Sequence, residues 1–150
     1  MKKLLYLLSV ICYLLSGCLP SRDITDFAMV SVVGIDDGAL TLAAPELTLT
    51  SHADTLDAAL QSLEHASDKH LFLGDARFIL IGGDAQDLRG AVDFLLSQPQ
   101  IHMGSRVFIV EGTAEEVIQS AESPEFLAGW LKNLDGEVGL VDFAEREYLK

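Results

Sequence analysis

Four histidines and two cysteines are the residues of this sequence that most readily bind metals or act as nucleophiles. The histidines form no metal-binding pattern, since none belongs to a close pair such as H-x-H or H-E-x-x-H. The acidic turn Asp36-Asp37-Gly38 is too short for a calcium-binding loop and lacks the oxygen-bearing side chains at alternate positions that such a loop has. We therefore predict no metal site and expect surface or strand-end positions for His52, His65, His70 and His102.

Patterns for catalysis and for phosphate binding are also weak. No serine lies in a G-x-S-x-G context, and the carboxylates show no spacing typical of an acid–base pair, so we do not expect an enzyme. Gly82-Gly83-Asp84 lies between a predicted strand and a predicted helix, where backbone amides attract anions. The Asp84 carboxylate would repel an anion, and no G-K-S/T sequence follows. We interpret the glycines as a turn and Asp84 as a helix cap.

Cys18 is the residue whose sequence context predicts chemistry. A basic start, Met1-Lys2-Lys3, precedes an apolar run over residues 4–15. The run is shorter than the roughly 20 residues that span a bilayer, and it fits the apolar region of a secretory signal. It closes with Leu15-Ser16-Gly17-Cys18, which resembles the lipobox of bacterial lipoproteins, whose thiol accepts a diacylglycerol. We predict a signal peptide over residues 1–17, cleavage between Gly17 and Cys18, and lipid on Cys18. The alternatives are an ordinary signal or an uncleaved anchor.

Cleavage would change both the cysteine content and the charge of the chain. Cys12 would be lost, so Cys18 would have no intrachain disulfide partner. Loss of Lys2 and Lys3 takes the formal charge from −13 to −15. A surface this acidic is repelled by phosphates, so nucleic acid is not an expected partner. Anionic lipid headgroups repel it as well, so we expect membrane attachment through acyl chains rather than a basic patch.

The remaining sequence alternates between strand and helix patterns. The apolar residues 27–36 predict a strand buried on both faces, and residues 40–50 predict a second strand, which Pro45 places at an edge or a bulge. Further strands are predicted within residues 71–81 and 106–110. We predict an α+β fold, a single domain in which three to four helices cover a small mixed sheet. The predicted helix starts are Asp54 or Thr55, Asp84, the capping box Thr113-Ala114-Glu115-Glu116, and Ser123-Pro124.

The last of these helices carries two aromatic residues. Phe126 and Trp130 recur at helical spacing together with leucines, so we expect them in the core. The alternative is that they contact a partner or a further domain that normally covers this helix. The periodicity weakens beyond Gly136, and residues 144–150 can begin another helix.

Three blocks of sequence follow one another in an order that characterises a known family. The first block is Arg22-Asp23-Ile24-Thr25-Asp26 with Val33-Gly34-Ile35-Asp36. The second runs from Thr55 through Ala59-Leu60 to Leu71-Phe72-Leu73-Gly74 and Phe78-Ile79-Leu80-Ile81-Gly82. The third is Val92-Asp93-Phe94-Leu95 with Pro99, Ile101 and residues 107–112. After a lipobox, these blocks resemble the spore germination lipoproteins of the Ger(x)C family, the C subunits of nutrient germinant receptors. The resemblance covers about residues 14–120. The chain departs from the family at Leu19-Pro20, where members have Trp-Asp, and at Gly74-Asp75-Ala76, where they have Gly-His-Leu.

The resemblance implies a non-enzymatic, lipid-anchored receptor subunit on the outer face of the spore's inner membrane, beside two integral-membrane subunits. There it would support receptor assembly and the germination response, with no cofactor beyond the covalent lipid on Cys18. Residues 18–26 would form the lipidated cysteine and its tether, and residues 27–150 the family's N-terminal domain without its C-terminal domain. The motif positions expected to have structural or interface roles are Arg22, Asp26, Gly34, Asp36, Gly74 and Gly82.

An envelope lipoprotein of another class is the alternative. It would be a solute-binding protein or an envelope hydrolase. Solute-binding proteins are normally longer and have two lobes, and a hydrolase needs catalytic residues that the sequence does not indicate.

Overall fold

The computed structural model describes residues 24–134 and 138–148, and a six-stranded mixed β-sheet forms its centre. The strands of this sheet are β2 Val32–Asp36, β3 Ala39–Ala44, β4 Leu47–His52, β6 Phe78–Gly82, β7 Arg106–Val110 and β8 Val138–Gly139. Their spatial order is β4, β3, β2, β6, β7, β8. A separate two-stranded parallel sheet joins β1 Phe27–Met29 to β5 His70–Phe72.

Strands β2, β3 and β4 form an antiparallel meander because two tight turns connect them. Gly38 takes a φ of 70° in the first turn, a conformation that glycine adopts without a steric penalty. The turn predicted at Asp36-Asp37-Gly38 is therefore confirmed. The second turn contains Pro45 and leaves β4 at the edge of the sheet, as Pro45 predicted.

Strands β2, β6 and β7 run parallel to one another, so their corresponding ends share an edge of the sheet. Val32, Phe78 and Arg106 are in register at the start of these strands, and we call this side the amino edge. The strands finish near Asp36, Gly82 and Val110 on the opposite side, which we call the carboxyl edge.

In the part of the chain that the structure describes, five α-helices cover the two faces of the sheet: α1 Leu56–Ala66, α2 Leu88–Ser97, α3 Ala114–Ser120, α4 Pro124–Lys132 and α5 Leu140–Tyr148. Alternate side chains of a strand point to opposite faces, so each strand contributes to two cores. Val33, Ile79 and Ile81 belong to the core formed with α1, α2 and α5. Val32 and Leu80 belong to the core formed with α3 and α4.

The α+β prediction is confirmed, and the sheet carries more helices than the three to four expected. Helix α5 begins at Leu140, four residues before the predicted start, because buried Leu140 and Phe143 hold it against the first core. Within residues 24–134 and 138–148, the helices all fall short of the length and apolar character needed to cross a bilayer.

The prediction of one strand over residues 27–36 is wrong, because the chain changes sheets at Val30-Ser31. The N–H of Val30 donates to the carbonyl of Phe72 in the small sheet, whereas the N–H of Ser31 donates to that of Ala43 in the large sheet. The same change interrupts residues 71–81, where a 3₁₀ helix over Leu73–Asp75 separates β5 from β6.

Three of the predicted helix caps are confirmed. Thr55, Thr113 and Ser123 each accept a hydrogen bond from an N–H in the first turn of their helix. The prediction that Asp84 caps a helix is wrong. The Ala85 N–H donates to Gly82 O and closes a turn there, and the helix starts later. Asp87 caps α2 instead, with its carboxylate accepting from the Gly90 N–H at 2.7 Å.

Candidate functional site

The carboxylate of Asp36 lies at the carboxyl edge and binds the start of helix α3. Its Oδ1 accepts from the Ala114 N–H at 2.6 Å, and its Oδ2 accepts from the Glu115 N–H at 3.0 Å. Thr113 Oγ1 accepts from the next N–H, that of Glu116, at 3.2 Å. Amides at the start of a helix have no partner within the helix, and a negative charge there is favourable. Strand β2 therefore supplies part of the cap of α3.

Two glycines make room for this contact. A Cβ on Gly34 would lie 2.7 Å from Ile118 Cδ1 and 3.2 Å from Ala114 Cβ. A Cβ on Gly82 would overlap the Asp36 carboxylate. The fold thus brings three of the six motif positions, Gly34, Asp36 and Gly82, to one helix–sheet contact. On this geometry they position α3 on the sheet.

The other motif positions lie elsewhere. Gly74 is in the 3₁₀ helix after β5, where a Cβ would overlap the ring of Phe72. Asp26 is exposed at the end of a 3₁₀ helix over Ile24–Asp26. Arg22 and the predicted cleavage and lipidation residues, Gly17 and Cys18, lie outside the described residues, so lipidation stays a prediction.

The four histidines are exposed and make separate contacts. His52 ends β4 and lies 3.8 Å from Glu115, and His65 pairs with the Gln61 carbonyl one turn earlier in α1. The ring of His70 lies beside Phe27, and Nδ1 of His102 accepts from the Gly104 N–H. In the described parts of the chain, His, Cys, Asp and Glu side chains form no group of three or more placed to hold a metal ion.

An acidic cavity of about 440 Å³ opens at the carboxyl edge, beside the starts of α1 and α2. Its apolar wall includes Leu56 and Phe94. Carboxylates in one cavity repel anions and attract cations, so this edge carries negative potential. The aspartates that line it are Asp36, Asp37, Asp54, Asp57, Asp87 and Asp93.

A second cleft, of about 760 Å³, lies at the amino edge and has the opposite charge. Arg77, Arg106 and Lys132 line it, and Asp75 is the acidic residue among its lining residues. Arg77 is paired with Asp75 at 3.2 Å, an exposed contact that contributes little to stability.

Arg106 attaches α4 to the sheet at this cleft. Its guanidinium lies 5.8 Å from the ring centroid of Phe78 and 5.6 Å from that of Phe108. Its Nη1 and Nη2 donate to the carbonyls of Lys132 and Leu134, at 3.1 and 3.0 Å, at the end of α4. The sequence did not predict this role. Arg106 is a basic residue at the start of an apolar strand, and the carbonyl groups that it contacts lie 26 and 28 residues later in the chain.

The outer face of α4 carries the aromatic residues that were expected in the core. That expectation is wrong: Phe126 is 60% exposed and Trp130 is 52% exposed, whereas Leu127 and Leu131 form the buried stripe. A helix that packs on a sheet buries one stripe of side chains. The aromatic stripe precedes the leucine stripe by one residue, so it faces away from the sheet. Gly129 lies between the aromatics, and a Cβ added there would meet no atom within 4 Å. We call Phe126, Gly129 and Trp130 the aromatic face.

Comparison with known proteins identifies the family. The family model described as the spore germination protein N-terminal domain matches residues 20–134, from the residues before β1 through α4. No curated protein and no solved structure matches the chain. The match covers more than half of the 150 residues and includes the sheet except for β8, together with the Asp36 contact and the aromatic face. The chain therefore belongs to the family of spore germination proteins, through their N-terminal domain, and has a role in spore germination.

Proposed function

We propose that this chain is a lipid-anchored, non-enzymatic subunit of a spore nutrient germinant receptor, held by lipid on Cys18 at the outer face of the spore's inner membrane. One observation carries the proposal: the germination-family match begins at residue 20, directly after a leader that ends in a lipobox-like sequence. Germination receptor subunits of this family are generally non-enzymatic. The subunit would help to assemble the receptor with its integral-membrane subunits.

Two features of the fold support an assembly role. The motif residues Gly34, Asp36 and Gly82 stabilise the packing of α3 on the sheet, which is a structural task. The aromatic face leaves large apolar side chains exposed, and such patches mark contact surfaces with a protein or with a membrane, either of which a membrane-bound subunit of a complex uses.

An acylation assay tests the anchor. The full chain is produced in a spore-forming host with a clickable fatty-acid analogue, alongside Cys18→Ala and the matched control Cys12→Ala. We expect label and membrane partition in the wild type and in Cys12→Ala, because Cys12 is discarded with the leader. Cys18→Ala should lose the label, whereas an uncleaved apolar leader can still hold this variant at the membrane. Unchanged label in Cys18→Ala would contradict lipid anchoring at Cys18.

Co-purification from spore membranes tests the receptor role. We expect the tagged chain to bring down the integral-membrane receptor subunits, and its deletion to slow germination on nutrients. Recovery of the chain without these subunits, together with normal germination of the deletion strain, would overturn the proposal. Tight binding of a small nutrient by the chain alone would then favour the solute-binding alternative.

A further inference from the structure

We propose that the amino edge of this domain, together with the aromatic face of α4, docks on the anionic surface of the bilayer that holds the chain. The inference rests on the proposed membrane attachment and adds the orientation of the folded domain. It assigns the basic cleft and its apolar neighbours to a lipid surface.

Basic residues are concentrated at the amino edge. The chain has a formal charge of −13, and its described part contains six lysines and arginines. Three of these six, Arg77, Arg106 and Lys132, line one cleft at the amino edge. The local potential there is therefore opposite in sign to that of the chain as a whole. Basic residues near anionic headgroups are attracted over about one Debye length, roughly 8–10 Å.

Exposed apolar side chains neighbour the cleft in the sequence. Gly129 and Lys132 line the cleft, and Trp130 lies between them in α4. His102 and Gly104 also line it, and Met103 lies between these two. Trp130 is 52% exposed and Met103 is 48% exposed. Tryptophan prefers the headgroup level of a bilayer, where its ring meets apolar chains and its N–H meets water. An acidic peptide would use the cations but would leave these apolar side chains exposed.

The fold separates its acidic and basic residues between two edges. The six-aspartate cavity lies at the carboxyl edge, so the charge difference between the two edges turns the amino edge toward an anionic surface.

The anchor also reaches the fold from a suitable position. The described chain begins near the amino edge, because Thr25 and Phe27 line a cleft together with Ala44 and Pro45, next to the pair formed by Ala43 and Val32. The nine residue-to-residue steps from Cys18 to Phe27 span at most about 32 Å when extended. A domain attached at Cys18 therefore stays close enough to the bilayer for this surface to touch it.

The test uses Trp130, which is the only tryptophan of the chain. The full chain is reconstituted through its own N-terminus into vesicles of phosphatidylcholine alone, or of phosphatidylcholine and phosphatidylglycerol in roughly a 3:1 ratio. Brominated acyl chains in the lipid quench a tryptophan that reaches the interface. We expect strong quenching of Trp130 in the anionic vesicles, weaker quenching in the neutral ones, and loss of the difference at high salt.

Two charge reversals separate local from global effects. Lys132→Glu and Arg89→Glu change the net charge equally, but Arg89 lies on α2 and outside the cleft. Each basic residue near the surface contributes roughly a factor of five, so Lys132→Glu should lower the ratio of docked to undocked chain by about tenfold or more. Arg89→Glu should leave it within about twofold.

Several results would overturn the docking. One is an unquenched Trp130 in anionic vesicles when flotation shows that the chain is anchored and circular dichroism shows that it is folded. Equal quenching in neutral vesicles, or equal effects of the two reversals, would also contradict it. Quenching that requires an added receptor subunit and not anionic lipid would assign the cleft to an acidic protein segment. The full chain keeps its apolar leader, so failure of Cys18 acylation leaves this test interpretable.

Discussion

The carboxylate of Asp36 lies 2.6 Å from the backbone nitrogen of Ala114, although 78 residues separate them along the chain. This hydrogen bond joins the end of β2 to the first residue of α3. Helix α3 has only seven residues, which is too short for an isolated helix to be stable in water. Its stability therefore depends on packing and on the charge that the sheet places at its N-terminus.

Asp36→Ala should destabilise the domain. It removes the partner of two helix amides, and hydrogen bonds to a charged group contribute about 1.5–3 kcal/mol. We expect a loss of about 1–3 kcal/mol in the free energy of unfolding, measured by urea denaturation. Asp37→Ala, in the same turn but exposed, is the control and should change stability by less than about 0.5 kcal/mol. Equal effects of the two variants would show that Asp36 does not support α3.

Two glycine substitutions should shift stability in opposite directions. Gly34→Ala places a methyl group against Ile118 and should cost about 1–3 kcal/mol through overpacking. Gly129→Ala meets no neighbour and replaces a glycine inside a helix, so it should stabilise by about 0.5–1 kcal/mol. Thermal melts of both variants check the pair. A destabilised Gly129→Ala chain would mean that α4 packs more tightly than the structure shows.

The start of α2 is tested by two aspartates three residues apart. Asp87→Ala removes the side chain that accepts from Gly90 and should cost about 1 kcal/mol. Asp84→Ala should be nearly neutral, within about 0.5 kcal/mol, because Asp84 is exposed in the preceding turn. The two midpoints in urea can be compared directly. A larger loss for Asp84→Ala would restore the cap position expected from the sequence.

Arg106→Lys should weaken the attachment of α4. Lysine keeps the charge but lacks the planar fork that contacts two carbonyls and stacks beside two rings. We expect a loss of about 1–3 kcal/mol, whereas Arg77→Lys, at an exposed ion pair, should cost less than about 1 kcal/mol. Near-ultraviolet circular dichroism of Trp130 gives a second, local measurement. An unchanged signal and unchanged stability in Arg106→Lys would contradict this role.

Local signals in the sequence predicted the parts of the fold that depend on neighbouring residues. Gly38 marks the first hairpin, and Ser123-Pro124 marks the start of α4, because each acts through bonds and angles within a few residues. The bend at Val30-Ser31 could not be predicted in this way. It depends on acceptors at Phe72 and Ala43, which belong to two different sheets.

The roles of Asp36 and of the α4 face were hidden for different reasons. An acidic residue before a glycine predicts a turn, and nothing nearby indicates that its carboxylate also binds Ala114. In α4, the pairs Phe126/Trp130 and Leu127/Leu131 have the same four-residue spacing. Periodicity alone cannot choose which pair faces the sheet, so the choice required the packed structure.

The long separation between Asp36 and Ala114 has a consequence for the order of folding. The meander of β2, β3 and β4 needs only short loops and can form early, whereas the Asp36 bond closes a loop of 78 residues and must wait for β6 and β7. An interaction made after the transition state changes the unfolding rate and leaves the folding rate nearly unchanged. In stopped-flow experiments Asp36→Ala should therefore unfold faster and refold at almost the wild-type rate. Asp36 would then determine how long the folded domain persists rather than how quickly it forms.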